Sequence, residues 1–318
     1  AKKIMCTYDK VPPLVSLLTP KEYRLLVDEY HNLLKIYSYR KEAVEGVLEH
    51  FNEFKSFCFM SATPIAMDFK PDALKDVEEY IADWEHIEPL MILPYQTNKP
   101  YYFAANLIET YRRQGYIERG ELKSYEAYFF INSVTDIKKI LEHTHLTNDD
   151  CRIICADEAK NRKTLGEYRI SSSTDAPKKF NFITSKSFEG VDFYSETGIC
   201  YVVSNIHNEH TLLSVDMDIP QIAGRIRNTN NPFRNLVVHL FNTRPKDYYE
   251  NYEKAKKEIK EALEYAKERA TAYNRLSIGA RKQQKSDLSK SSFLKYDKKM
   301  MSLLLMIWQL KLYSIIID

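Results

Sequence analysis

The sequence predicts an α/β protein of two parallel-sheet lobes, the first incomplete, followed by a helical C-terminal extension. Three observations carry that expectation. Short apolar runs of strand length alternate with segments whose apolar residues recur at helical spacing. Several of these runs stop abruptly at polar residues, as strands do at the rim of a parallel sheet, where folds of this class bind ligands. Beyond residue 247 the pattern changes to a long charged helix, "YYENYEKAKKEIKEALEYAKERATAYNRL", and then to the basic stretch "GARKQQKSDLSKSS".

Taken in order, "YRLLVDEYH" opens with an apolar strand, 23–27, that ends at Asp28 and Glu29. "RKEAVEGVLEHF" reads as a helix, and "SFCFMSATPI" as a second strand running into Ser61, Ala62 and Thr63. Strand, helix, strand is a parallel crossover, so both strands bring their polar ends to one edge of a sheet. Pro94 and Pro100 flank polar residues and place a boundary within 90–99. Residues 1–92 are then the first lobe, 93–246 the second and 247–318 the extension.

In the second lobe "YYFAANLIETYRRQG" reads as a helix closed by Gly115, and "YEAYFFINS" as a strand. "VTDIKKILEHT" and "DIPQIAGRIRN" read as helices; "CRIICAD", "KFNFITS", "GICYVVSN" and "NLVVHLFN" read as strands. Such alternation makes a doubly wound sheet. The basic stretch after the charged helix reads as a mobile linker. The final "MMSLLLMIWQLKLYSIIID" is apolar but contains Gln309 and Lys311, so it reads as a packed helix or strand and not as a membrane span.

The 318 residues are enough for two cores. A formal net charge of +2 neither demands nor excludes a nucleic-acid partner. Five cysteines with no CxxC pair suggest a reducing compartment, cytoplasmic or otherwise intracellular, without a disulfide framework or zinc site. The pairs His143/His145 and His207/His210 lack further ligands at matching spacing and read as surface residues. No signal peptide is recognisable.

Four stretches, "DEYH" (28–31), "SAT" (61–63), "TSKSFEGVD" (184–192) and "QIAGRIR" (221–227), occur in the order of motifs II, III, V and VI of superfamily two DExH-box helicases and translocases, and the chain resembles that family. "FFINSVTDIKKIL" resembles motif IV, and "CTYDKVPPLVSLL" the segment before motif II. The resemblance covers roughly residues 5–240. It implies two RecA-like lobes of the P-loop NTPase fold, ATP and Mg²⁺ between them, and a single strand of DNA or RNA across their top.

It also implies roles. Asp28 would hold Mg²⁺ through water, and Glu29 would orient and deprotonate the attacking water. His31 would link this site to the second lobe, and Ser61 and Thr63 would couple nucleotide state to the lobe interface. Thr7, Ser133 and Thr184 would contact the nucleic-acid backbone. Gly190 would permit a tight turn that brings Asp192 toward the nucleotide. Gln221, Arg225 and Arg227 would lie in the first turns of a helix starting at Asp218 and Pro220, and one arginine would reach the γ-phosphate. Simpler structural readings stand beside these: Ser61 and Thr63 as helix caps, Thr184 as a strand-to-turn junction, each arginine as a surface residue.

The family's second arginine falls here at Asn228, which leaves the finger to Arg225 or Arg227. Two residues apart on a helix differ by about 200°, so only one can face the nucleotide. Gly224 favours Arg225, because its missing side chain allows close approach.

No GxxxxGK(S/T) loop occurs anywhere, and Asp28 has only 27 residues before it. The expectation is therefore a fragment or shortened form of a helicase, inactive alone, whose phosphate loop lies on a missing N-terminal segment or a partner chain. The alternative is a non-catalytic nucleic-acid-binding or assembly module that keeps the fold.

Overall fold

The computed structural model describes residues 3–65, 67, 70–83, 85, 88–188, 190–215, 217–243, 252–283, 294–297 and 302–305. The chain divides into two compact units, Ala1–Ile81 with Glu250–Asp318, and Ala82–Tyr249.

The first unit begins with α1 (Val11–Leu17), then strand β1 (Arg24–Val27), the short α2 (Asn32–Lys35), α3 (Tyr37–His50), β2 (Ser56–Phe59) and α4 (Asp72–Lys75). Strands β1 and β2 pair in parallel, Leu26 opposite Cys58, with α3 in the crossover. Alternation sorts their side chains. Leu25, Val27, Phe57 and Phe59 pack with Val44, Val47 and Phe51, while Leu26, Cys58 and Met60 are exposed. Gly46 of α3 is the point where α1 comes closest: a Cβ there would lie 2.4 Å from Pro12 Cγ.

The second unit is α/β, a six-stranded parallel sheet with helices on both faces. It comprises β3 (Met91–Gln96), α5 (Pro100–Gln114), the hairpin β4 (Ile117–Arg119) and β5 (Leu122–Ser124), β6 (Ala127–Phe130), α6 (Val134–Thr144), β7 (Cys151–Ile154), α7 (Ala159–Leu165), β8 (Phe180–Ile183), β9 (Ile199–Val203), α8 (Asp218–Ala223) and β10 (Leu236–Phe241). The order is β3-β10-β9-β6-β8-β7. The inner strands β6 and β9 are buried on both faces, which explains the unbroken apolar runs "AYFF" and "ICYVV". Phe129, Phe182 and Tyr201 pack with α5, α6 and α7; Phe130, Ile183 and Val202 pack with Ile219 and Ile222 of α8.

Local signals set the helix ends. Gly115 closes α5 in the left-handed conformation (φ 85°), and the Ser133 hydroxyl accepts from the Asp136 N–H at the start of α6. Residues 90–99, expected to hold the boundary, instead carry β3. The strand lies at the sheet edge, where Pro94 is tolerated because its missing N–H breaks no central ladder.

At the C-terminal end, α9 (Tyr252–Arg275) is followed by α10 (Ile278–Gln283), where a mobile linker was expected. The reason is local: Ser277 Oγ accepts from the Ala280 N–H, and the Tyr273 hydroxyl donates to the Arg281 carbonyl, tying α10 back to α9. Residues 284–293 of that stretch lie outside the described residues. Strands β11 (Leu294–Asp297) and β12 (Ser302–Leu305) form an antiparallel pair; residues 306–318 lie outside the described residues. No helix among the described residues is long and apolar enough to cross a membrane.

Candidate functional site

The acidic pair stands where β1 ends. Asp28 is exposed, and its Oδ1 accepts from the Glu29 N–H at 3.0 Å. Glu29 then takes a positive φ of 48°, a conformation non-glycine residues rarely adopt and one that recurs at functional sites. The reversal sends the two carboxylates in different directions. Glu29 Oε2 turns inward to lie 3.2 Å from His31 Nδ1. The Tyr8 hydroxyl holds the turn from outside, donating to the Asp28 carbonyl at 2.7 Å.

His31 is fully buried. Its Nδ1 lies 2.7 Å from Ser61 Oγ and 3.3 Å from Thr63 Oγ1, both at the end of β2. Ser61 Oγ also accepts from the Thr63 N–H at 3.0 Å. Nδ1 thus lies within reach of a carboxylate and two hydroxyls; Glu29 Oε2 is buried without a hydrogen-bond partner among the described residues, so it faces the imidazole without bonding it, while Ser61 Oγ is within hydrogen-bond distance. Tyr30 sits inside this loop as a strut: its ring meets Phe59 edge-on at 6.1 Å, and its buried hydroxyl accepts from the Ile65 N–H. Burial raises the Tyr30 phenol above its ordinary value. Tyr8 is a residue that sequence reading missed, since it has no periodic or motif signal; Tyr30 stands within "DEYH", but nothing in the sequence marks its hydroxyl as a buried strut. Thr7 is exposed immediately before the Tyr8 anchor, its side chain beside Asp9.

Asp28 offers one carboxylate of the kind hard cations such as Mg²⁺ take. A second carboxylate oxygen, Oδ2, makes no bond among the described residues, and Mg²⁺ favours one or two carboxylates with waters and phosphate oxygens. No group of three His, Cys, Asp or Glu able to hold a metal unaided occurs among the described residues.

In the second unit the rim residues come from neighbouring strand ends. Ser133 is buried as the cap of α6. Thr184, beyond β8, is also buried; both its N–H and its hydroxyl point to the Ile154 carbonyl, at 3.0 and 3.4 Å. Asn132 joins the two turns by accepting from the Ser185 N–H at 3.2 Å. These hydroxyls spend their hydrogen bonds on the fold, and Asn132, with its neighbours Ser185 and Lys186, forms more of the rim.

No family model and no curated protein matches the chain.

The remaining predicted residues meet at the turn after α8. Gly190 has the expected positive φ, 71°. Asp192 Oδ1 lies 2.9 Å from Arg227 Nε and 3.8 Å from Arg225 Nη1. Gln221 is on α8, buried, and its carbonyl accepts from Arg225 Nε at 2.7 Å. The helix ends at Ala223, however, so Arg225 and Arg227 are not on it. Gly224 terminates α8; Arg225 is in the turn that follows, its N–H donating to the Ile222 carbonyl at 3.0 Å, and Ile226 is bridged in parallel to Phe193. The helical separation of about 200° therefore does not apply to the two arginines.

Elsewhere, burial pushes the Cys151 and Cys200 thiols up to about 12 and so keeps them unreactive as nucleophiles. His143, His145, His207 and His210 are exposed, as their spacing suggested.

Proposed function

We propose that the chain is part of an ATP-dependent helicase or translocase acting on single-stranded DNA or RNA. In this reading β1 and β2 belong to one RecA-like lobe and the six-stranded sheet is the core of the other. The observation that carries it is the connection from Glu29 through buried His31 to Ser61 and Thr63. A carboxylate joined by one imidazole to the next strand end can pass a change at a nucleotide into the sheet by the movement of a single proton.

The roles follow from position. Asp28, whose Oδ2 makes no bond among the described residues, would hold Mg²⁺. The metal, when bound, supplies charge neutralisation at the β- and γ-phosphate oxygens. Glu29 accepts a proton from the attacking water, and its inward turn places Oε2 where His31 can stabilise the carboxylate. Once Glu29 has taken that proton its carboxyl no longer draws the Nδ1–H, which then has Ser61 Oγ as its acceptor; this exchange of acceptors is the coupling step.

The sequence contains no GxxxxGK(S/T) loop, so residues 1–318 alone lack the amides and lysine that cradle ATP phosphates. Their ATP turnover should equal that of a Glu29→Gln control. The same absence favours a second reading, a non-catalytic nucleic-acid-binding or assembly module. Fluorescence anisotropy with labelled single-stranded DNA and RNA tests what both readings share. Affinity should fall as salt rises, with a slope of about 0.7 per phosphate neutralised, and should be indifferent to base sequence. Absence of binding at low salt, or binding that ignores salt, would sink both.

A further inference from the structure

The acidic turn holds a conformation it would not keep by itself. Glu29 has a φ of 48°, in the left-handed region that a residue with a Cβ occupies only when its surroundings hold it there. Its carboxylate turns inward, where Oε2 is buried without a hydrogen bond among the described residues, 3.2 Å from His31 Nδ1. A strained backbone that carries an unsatisfied carboxylate oxygen needs restraint from elsewhere.

The restraints come from both sides of the turn. On the N–H side, Asp28 Oδ1 accepts from the Glu29 N–H, and the Met60 carbonyl accepts from the Tyr30 N–H at 3.1 Å. On the carbonyl side stands Tyr8, whose hydroxyl donates to the Asp28 carbonyl at 2.7 Å and lies 3.3 Å from the Glu29 carbonyl. Successive carbonyls of an extended strand point to opposite sides, so one hydroxyl reaches both only where the chain has left the strand conformation. The double contact is therefore specific to the turned state, and it is lost if Glu29 relaxes to an extended φ.

Tyr8 can do this because its own place is fixed. Its ring packs against the core that contains Val11, Val44 and Phe51, which leaves the hydroxyl at the rim. Helix α1, which begins at Val11, approaches α3 so closely that a Cβ on Gly46 would meet Pro12 Cγ at 2.4 Å. A tyrosine anchored by its ring and aimed by its hydroxyl loses little further freedom when it bonds.

We propose, resting on the helicase reading above, that Tyr8 is a positioning residue of the acidic site: its hydroxyl selects the turned conformation of Glu29 and so aims the carboxylate at His31. It acts through the peptide between the two acids, and no step of the chemistry passes through the phenol.

Selective ¹⁵N labelling of histidine in the 318-residue chain tests this, because the chemical shifts of the two ring nitrogens report what each one faces. The His31 signals are identified by their loss in His31→Gln. Glu29→Gln removes the charge beside Nδ1 and should move them. Tyr8→Phe, which deletes one oxygen, should move them the same way, because Glu29 swings out. Incorporating 4-aminophenylalanine at position 8 restores a donor and should bring them back. Val44→Ala, which thins the same core, should lower the Tm and leave the signals in place, as would any change that acts on stability alone. In the polypeptide as the cell makes it, Tyr8→Phe should lower kcat for ATP roughly tenfold with KM unchanged, short of the ~10²-fold that a full ångström of misplacement costs. Signals that move in Glu29→Gln but not in Tyr8→Phe, or that 4-aminophenylalanine fails to restore, would overturn the inference. So would signals indifferent to Glu29→Gln, or a kcat untouched by Tyr8→Phe where Glu29→Gln abolishes it. Signals that follow Tyr8 in a protein whose natural form hydrolyses no ATP would keep the positioning role and sink the helicase reading.

Discussion

Asp28 and Glu29 end a two-stranded sheet with one face exposed, whereas Arg225 and Arg227 are fixed against a six-stranded sheet that helices cover on both sides. The acidic pair is consequently wired by side chains. His31, Ser61, Thr63, Tyr8 and Tyr30 supply the bonds that a larger sheet would supply by packing. The arginine pair is wired by backbone, through the short ladder between Phe193 and residues 225–227. Side-chain wiring can switch, because one imidazole has two alternative partners. Backbone wiring holds register, and the Arg227 side chain beside it is half exposed and bonded to Asp192.

The sharpest way to break this comparison is to cut each sheet equally. Phe129→Ala, inside the six-stranded sheet and fully buried, should cost about 3–5 kcal/mol in chemical denaturation. Leu26→Ala, on the open face at 60% exposure, should change stability by no more than about 0.5 kcal/mol. A large loss from Leu26→Ala would mean that the face is covered in solution.

A smaller effect is expected from pH in the six-stranded unit. Burial pushes His239 down to about 4 from its ordinary 6.5, and its Nε2 lies 3.0 Å from Ser204 Oγ. The unfolded chain takes up that proton below pH 6.5, the folded one not until about pH 4. Stability should therefore fall as pH drops through that window, by up to about 3 kcal/mol, and level off below it. The part of the slope that disappears in His239→Gln is the contribution of this residue; an identical slope in the variant would refute the assignment.

Smaller again is the tight spot in the first unit. Gly46→Ala gains helix propensity of about 1 kcal/mol but drives a methyl to 2.4 Å from Pro12 Cγ. Overpacking at about 1–3 kcal/mol should win, lowering the Tm. Adding Pro12→Ala should recover most of the loss, a coupling that a double-mutant cycle reads directly.

The sequence made most elements of the parallel sheet legible, because buried parallel strands are uninterrupted apolar runs and their helices carry caps. The bounds of α6 match the expected "VTDIKKILEHT" residue for residue. What was illegible depends on contacts distant in sequence. Gly224 looked like an interior helix residue; it ends α8 where the chain turns to pair with Phe193, more than thirty residues earlier. Arg152 interrupts the strand "CRII" as if solvent-facing, yet it is buried, with Nε donating to Asn181 Oδ1 at 2.9 Å and its charge set over the Phe193 ring. Tyr30 occupies a motif position but works as a core strut. The acidic pair was legible as chemistry, and its wiring through His31 to Ser61 was not, since nothing in "DEYH" or "SAT" states which nitrogen meets which oxygen.

The account stands or falls on hydrolysis at Glu29. The measurement is ATP turnover by the polypeptide as the cell makes it, with saturating single-stranded nucleic acid, comparing the natural protein with Glu29→Gln. The account predicts stimulated turnover that falls by about 10²–10⁴-fold in the variant, the contribution of a positioned general base. Turnover that is absent from the natural protein, or undiminished in Glu29→Gln, would contradict it.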